Sequence, residues 1–232
     1  MCGRFVIARE LNEIAEAFLV DEFQPASVIN YNVAPTTKIP IIVEREIESL
    51  PSREIHMARW GLVPSWAKEI SGAPLINARV ETILEKPSFQ DAAKAKRCVV
   101  PVSGYFEWSE YFEEKTPFYI HAEGSMLGLA GIYNWWRDPS KDQSDTSRWL
   151  LTCSLITKPS APALSQIHDR NPIFLTEETL DAWLEPNYET SESVLNEIRS
   201  QSDLMANELH FHKVDPKVGS IKNNSPELIR EI

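Results

Sequence analysis

Arg97-Cys98-Val99-Val100-Pro101-Val102-Ser103-Gly104-Tyr105-Phe106-Glu107-Trp108-Ser109 reads as two β-strands in close succession, and that pair points to the fold class. Cys98 to Val102 is a β-branched run, which predicts a strand. After Ser103-Gly104 a second strand runs from Tyr105 to Ser109, with Tyr105, Glu107 and Ser109 on one face and Phe106 and Trp108 on the other. Further strands are predicted upstream over Ile39 to Val43, beside Pro40, and over Ile55 to Val63, before Pro64. Downstream they are predicted over Phe118 to Ala122, Leu127 to Trp135 and Trp149 to Ile156, with the polar residues 138–147 as a hairpin tip. Leu11, Ile14, Ala15 and Phe18 have the spacing of an amphipathic helix over Glu10 to Phe18. Shorter helices are predicted over Val80 to Leu84 and Ser88 to Lys96, then over Glu177 to Leu184, with Thr176 as N-cap, and over Ser191 to Arg199. Strands with helices interspersed, and no regular βαβ alternation, predict an α+β fold: a curved antiparallel, barrel-like sheet with peripheral helices. No linker interrupts the chain, so residues 1–232 are expected to form a single domain.

The composition narrows the function classes. The 232 residues carry 23 basic and 34 acidic side chains, a net charge of −11, which argues against a protein that coats DNA with a basic face. The imbalance is uneven: residues 1–110 hold 12 basic and 15 acidic groups, so a local basic patch in that half remains open. No apolar run approaches the roughly 18 residues of a membrane span. With only Cys2, Cys98 and Cys153, and no apolar leader after Met1, a reducing cytoplasmic location is expected. Cys98 and Cys153 lie in apolar strands and read as buried small hydrophobes.

Cys2 is different because it follows Met1. Removal of Met1 would leave an α-amine and a thiol on one residue, with reference pKa values of about 8 and about 8.5, so both are nucleophilic near neutrality. Such a 1,2-aminothiol condenses with an aldehyde to an imine, and the thiol then closes a five-membered thiazolidine on the same carbon. Taken alone, Met1-Cys2 is a small residue at a chain end; Gly3 adds close backbone approach and Arg4 a phosphate donor.

Four other clusters invite chemistry, each with a plain structural alternative. Asn77-Ala78-Arg79-Val80-Glu81-Thr82 offers an orienting amide and a phosphate-gripping Arg, or a helix entrance with a surface ion pair. Glu107 between Phe106 and Trp108 is a candidate proton-transfer acid, or an edge-strand carboxylate in water. Ile167-His168-Asp169-Arg170-Asn171-Pro172 offers an acid–base imidazole beside an Arg, or a solvated loop. Trp60 and Trp66 are core, or a surface on which bases stack. His210 and His212 share a strand face without metal-spaced partners, so no metal is expected. Dinucleotide, P-loop and serine-hydrolase motifs are missing, and no cofactor is expected.

In combination and order, Met1-Cys2-Gly3-Arg4-Phe5, Tyr31-Asn32-Val33-Ala34-Pro35-Thr36, Trp60 to Trp66, Asn77 to Thr82, Arg97 to Pro101, Gly104 to Trp108 and Ile167 to Arg170 resemble the SRAP (SOS response-associated peptidase) family. The likeness runs from Cys2 to about residue 215, in the style of bacterial-type members. It implies a monomeric sensor and shield of abasic sites in single-stranded DNA, crosslinked through a thiazolidine between Cys2 and the ring-opened sugar aldehyde. The resemblance further implies that Asn77 orients the Cys2 amine and the sugar. It makes Glu107 the acid that assists proton transfers and His168 the group acting on the opening sugar, with lyase activity when the thiol is missing; Thr157 would supply a site hydroxyl. Arg4, Arg79 and Arg170 would contact phosphates, and Trp60 would stack on or prop apart bases. A thiol peptidase using Cys2 and His168, as the family name suggests, and a noncatalytic single-strand-binding module are the alternatives. Two departures stand out: Asn171 occupies a place where the family commonly has Met, next to the His168 motif, and Thr157-Lys158-Pro159-Ser160 differs from the usual small polar run.

Overall fold

The computed structural model describes residues 2–109, 111 and 115–232. Its elements begin with β1 (Arg4–Ile7), α1 (Leu11–Ala17), β2 (Glu22–Phe23), β3 (Asn30–Val33), β4 (Lys38–Ile47), β5 (Leu50–Trp60) and β6 (Asn77–Arg79). There follow α2 (Gln90–Ala95), β7 (Arg97–Val102), β8 (Gly104–Ser109), β9 (Thr116–His121), β10 (Leu127–Arg137) and β11 (Trp149–Pro159). The chain closes with β12 (Arg170–Pro172), β13 (Phe174–Leu175), α3 (Glu177–Leu184), α4 (Glu192–Ala206) and β14 (His210–Lys213).

The strands β7, β4, β5, β11 and β10 pair in a closed ring, β10 returning to β7, so the α+β expectation of a barrel-like core holds. One detail differs from an antiparallel sheet. The ring closes through a parallel pair, with Thr152 opposite Arg59 and Cys153 opposite Trp60, because the long connection between β5 and β11 permits a crossover. Narrow packing inside the ring explains Gly131, where a Cβ would stand 3.0 Å from Cys98 Sγ. Cys98 and Cys153 are buried free thiols.

β7 and β8 follow one another across Ser103 yet belong to different sheets, because the chain turns a corner there. The second sheet has the order β14-β9-β8-β1-β3. At the corner only glycine fits position 104, since a Cβ would lie 2.6 Å from the Tyr119 ring. One face of this sheet joins the main core through Phe5, Tyr105, Phe118 and Ile120. The other buries Val6, Phe106 and Tyr119 under Val214, Val218 and Leu228 of the C-terminal segment.

Several boundaries shift. The strand expected from Ile55 to Val63 runs from Leu50 to Trp60 and stops where Gly61 takes φ 133°, a left-handed value that breaks the strand. Asn77 to Arg79 is a strand on β11, and only Val80 to Thr82 coils, as a 3-10 turn, so the helix entrance expected there is a strand end. The last predicted helix extends beyond Arg199 to Ala206, because Ile198, Ser202 and Ala206 continue its buried face.

Candidate active site

The end of β11 is where the site is assembled. β6 lies parallel on one edge, Leu155 opposite Asn77 and Thr157 opposite Arg79; β12 lies antiparallel on the other, Thr157 opposite Pro172 and Pro159 opposite Arg170. β1 and β8 approach from the second sheet, paired through Arg4–Phe106 and Phe5–Tyr105. Phe5 in turn packs on Trp60 of the barrel, ring centroids 4.7 Å apart. This seam brings Cys2, Asn77, Glu107 and His168 together from four distant segments.

Cys2, just ahead of β1, is fully buried, and its carbonyl accepts a hydrogen bond of 2.8 Å from Asn77 Nδ2. Asn77 Oδ1 is also buried and has no hydrogen-bond partner among the described residues, which leaves one acceptor pointed into the seam. Burial pushes the Cys2 thiol well above its ordinary range, and the nearby Glu107 carboxyl adds to the shift. The thiol itself lies 3.9 Å from the Arg4 carbonyl, its hydrogen-bond acceptor.

Glu107 sits on β8 at 4% exposure, and burial raises its carboxyl above the usual carboxylate range. Its Oε1 lies 3.3 Å from His168 Nε2. His168 is carried by the loop between β11 and β12, which is anchored by the buried Ile167 and tied by the Ser160 N–H to the Asp169 carbonyl at 2.9 Å. A cavity of about 510 Å³, lined by Trp108, Tyr111, Ile167, His168 and Asp169, opens beside the imidazole.

The residues expected to grip DNA fare differently. Arg79 ends β6 exposed to solvent, and its guanidinium has no partner among the described residues. Arg170 is buried instead: it makes a two-pronged ion pair with Glu81 at 2.8 and 2.9 Å and donates to the Thr157 carbonyl at 2.9 Å. In this structure a carboxylate occupies the fork, so Arg170 ties β12 to the turn after β6. Arg4 is likewise engaged within the protein. Its guanidinium donates to Asn32 Oδ1 at 2.7 Å and to the carbonyls of Val218 and Gly219, clamping the C-terminal segment onto β1 and β3. Thr157 is fully buried, its hydroxyl 3.5 Å from an Arg170 nitrogen, so it backs the ion pair.

Trp60 is core, not a stacking surface: it is fully buried and donates its Nε1–H to the Ile76 carbonyl at 3.0 Å. The exposed ring is Trp66, 62% accessible, on the wall of a cavity of about 330 Å³ that also includes Arg59 and Ile70. Asn171 does not modify the imidazole directly. Buried, it accepts the Ala161 N–H at 2.8 Å and donates to the Pro172 carbonyl at 2.6 Å, closing the base of the His168 loop. Lys158, 2% exposed, is balanced by an ion pair with Asp203 of α4. His210 and His212 do lie together, with His121 rings 6.0 and 5.4 Å away, but no group of three or more metal-ligating side chains is found among the described residues. Glu81, which holds Arg170, and Asp169, whose carboxylate lies 2.7 Å from His168 Nδ1, stand inside the quoted motifs, but the sequence singles out neither.

Known proteins share this sequence and fold along nearly the whole chain. The abasic site processing protein YoqW of Bacillus subtilis (strain 168) is 38% identical over 234 residues, covering 99% of each chain. YedK of Escherichia coli (strain K12), also named an abasic site processing protein, is 30% identical over 240 residues and matches along the full length of both. HMCES of Rattus norvegicus, with the same descriptive name, is 30% identical over 238 residues, covering 86% of this chain and 64% of that protein. A crystal structure of a Bacteroides thetaiotaomicron protein superposes over all of both chains with a TM-score of 0.77 at 24% identity, which shows a shared fold. The pattern that defines SOS response associated peptidases (SRAP) matches residues 1–221, and the chain belongs to that family.

Proposed function

We propose that this chain processes abasic sites, and that it does so by trapping the ring-opened sugar of single-stranded DNA on Cys2. The observation that carries this reading is the convergence of Cys2, Asn77, Glu107 and His168 at one seam, with relatives of near-complete overlap named abasic site processing proteins.

The reaction requires a free Cys2 amine; Met1, whose removal supplies it, lies outside the described residues. The amine adds to the C1′ aldehyde, and the carbinolamine loses one water to give an imine. The Cys2 sulfur then bonds to the same carbon while its proton goes to the imine nitrogen, closing the thiazolidine. Asn77 holds the Cys2 backbone by its carbonyl, and its spare Oδ1 accepts from the amine or a sugar hydroxyl. Glu107, whose carboxyl burial raises toward holding a proton, delivers the proton that the departing hydroxyl needs, and His168 beside it exchanges it. A thiol raised by burial is a poor standing nucleophile, which favours amine attack first and intramolecular closure second. That same property, with the thiol directed at the Arg4 carbonyl, counts against the thiol-peptidase alternative. Arg79 and the Trp66 ring supply phosphate and base contacts, enough for a salt-sensitive encounter on a protein of net charge −11.

The test is a denaturing gel and intact mass after mixing the protein with single-stranded DNA carrying one abasic site. A stable adduct lighter by one water than the sum of its parts is expected from the wild type and from none of the Cys2→Ala protein. An equally stable Cys2→Ala adduct would falsify the thiazolidine. Salt-reversible binding of intact and abasic strands alike would support the noncatalytic module instead.

A further inference from the structure

We propose that the cavity beside His168 is a subsite for the nucleobase next to the abasic sugar, with Trp108 and Tyr111 as its stacking walls and Asp169 as the acceptor that reads an amino group on the base edge. This rests on the reading above that the sugar itself meets Cys2.

The cavity measures about 510 Å³ and is lined by Trp108, Tyr111, Ile167, His168 and Asp169. That volume falls within the ordinary range of ligand pockets, roughly 300–1,000 Å³, and leaves room for a base. Its walls are held in place. Trp108, on β8, is half-buried and packs against the small core of Val6, Phe106 and Tyr119, so the rest of its ring is presented from a fixed base. Ser109, the last residue of β8, is fully buried; its hydroxyl donates to the Gln166 carbonyl at 3.4 Å and accepts the Tyr111 N–H at 3.3 Å. One hydroxyl thus ties the backbone that carries Tyr111 to the loop that carries His168. Tyr111 is 68% exposed, a large aromatic left in water at the rim of a cavity next to the reacting residues. Aromatic rings in such places hold single strands by stacking, since every base has a π-face.

The charge of the walls selects a base over a phosphate. No lysine or arginine stands among the described residues that line the cavity, whereas Asp169 brings a carboxylate. A phosphate is repelled there; an amino group is not. Asp169 Oδ1 lies 2.7 Å from His168 Nδ1, but a carboxylate has about four lone-pair sites on its two oxygens, so acceptors remain on a side chain that is 76% exposed. The Asp169 backbone is fixed by its carbonyl, which accepts the Ser160 N–H at 2.9 Å. Cytosine and thymine differ at such an acceptor. Cytosine offers its N4 amino group, and thymine places the O4 carbonyl at the same point, where a carboxylate repels it.

The experiment is fluorescence anisotropy with single strands in which a tetrahydrofuran, an abasic sugar analogue without an aldehyde, replaces the lesion. Its neighbour on the 5′ or the 3′ side is cytosine, thymine or a second tetrahydrofuran. On one of the two sides cytosine should bind about tenfold tighter than the second tetrahydrofuran, the scale of one base–aromatic stack. On that side cytosine should exceed thymine roughly fivefold, a modest ratio because Asp169 is open to water. Tyr111→Ala should remove most of the first ratio and Tyr111→Phe should keep it. Asp169→Ala should bring cytosine and thymine level, a comparison that cancels any general effect of the substitution on His168. Both side chains lie largely in solvent, so the fold does not depend on them. Affinity independent of the neighbour on both sides, a base preference unmoved by Tyr111→Ala, or cytosine and thymine bound alike by the wild type overturns the inference. These strands cannot crosslink. Neighbour-dependent binding by a protein that forms no adduct with true abasic DNA would therefore uphold the subsite and sink the proposed reaction instead.

Discussion

β6 and β12 are three-residue strands that flank the same end of β11, and each carries an arginine, yet the two side chains live in opposite surroundings. Arg170 is 10% exposed at its side chain and locked to Glu81; Arg79 faces water with no partner among the described residues. The acid decides the difference. Glu81 follows β6 on its 3-10 turn and reaches across β11, so the segment that presents one arginine to solvent neutralises the other. The tryptophans repeat the contrast. Trp60 ends a barrel strand and fills the core, whereas Trp66, six residues on, stands outside it. Residue type therefore settles the surroundings of neither the arginines nor the tryptophans here; burial and partner do.

The largest consequence falls on Arg170→Ala. Removing it leaves Glu81 without its partner and the Thr157 carbonyl without its donor. A fully buried broken pair costs about 3–5 kcal/mol, but the 35% exposed Glu81 side chain can rehydrate, so about 2 kcal/mol is expected from urea unfolding. Single-strand affinity measured well below the unfolding transition should change little. A normal urea midpoint with lost affinity would place Arg170 at the DNA interface. Arg79→Ala should do the reverse. Its stability should stay within about 0.5 kcal/mol, while binding weakens roughly fivefold and the slope of log K against log salt drops by about 1. Unaltered salt dependence would remove Arg79 from the phosphate path.

How much of this was legible in the sequence depends on the range of each interaction. Helix ends follow local chemistry: Thr176 caps α3 as expected, and Glu13 folds back on the Glu10 N–H to start α1. The turn between β4 and β5 escaped notice because Glu48 and Ser49 adopt φ of 51° and 67° without the Asn-Gly signal such turns normally show. β6 and the parallel β5–β11 pairing escaped it too, since in both the partners lie some 75 or more positions apart. At the site, Cys2, Asn77, Glu107 and His168 stood out through the ordered family motifs. The fates of Arg4 and Trp60 did not, because their partners, Val218 and Gly219 for one and Phe5 and Ile76 for the other, carry no mark in the local sequence.

The smallest effect is a pH signature of the same asymmetry. Hydrogen bonding from Arg170 holds the Glu81 carboxyl below its ordinary value of about 4.3. A group depressed on folding adds stability above its unfolded value, and that contribution is lost as pH falls through the lower folded value. Glu107 has the opposite sign. Burial raises it, so folding loses stability as pH climbs from about 4.3 toward its folded value. Urea midpoints at pH 3 and pH 7 therefore contain two opposed contributions, one from each side of the seam. In Glu81→Gln the gain between those pH values should shrink by roughly 1 kcal/mol or less, since the half-exposed carboxylate is screened by solvent. Arg170→Ala should shrink it by a similar amount, because the depression needs both partners, and Arg79→Ala should not alter it. An equal response from Arg79→Ala would mean that Glu81 serves both arginines, and the division between the two strands would have to be abandoned.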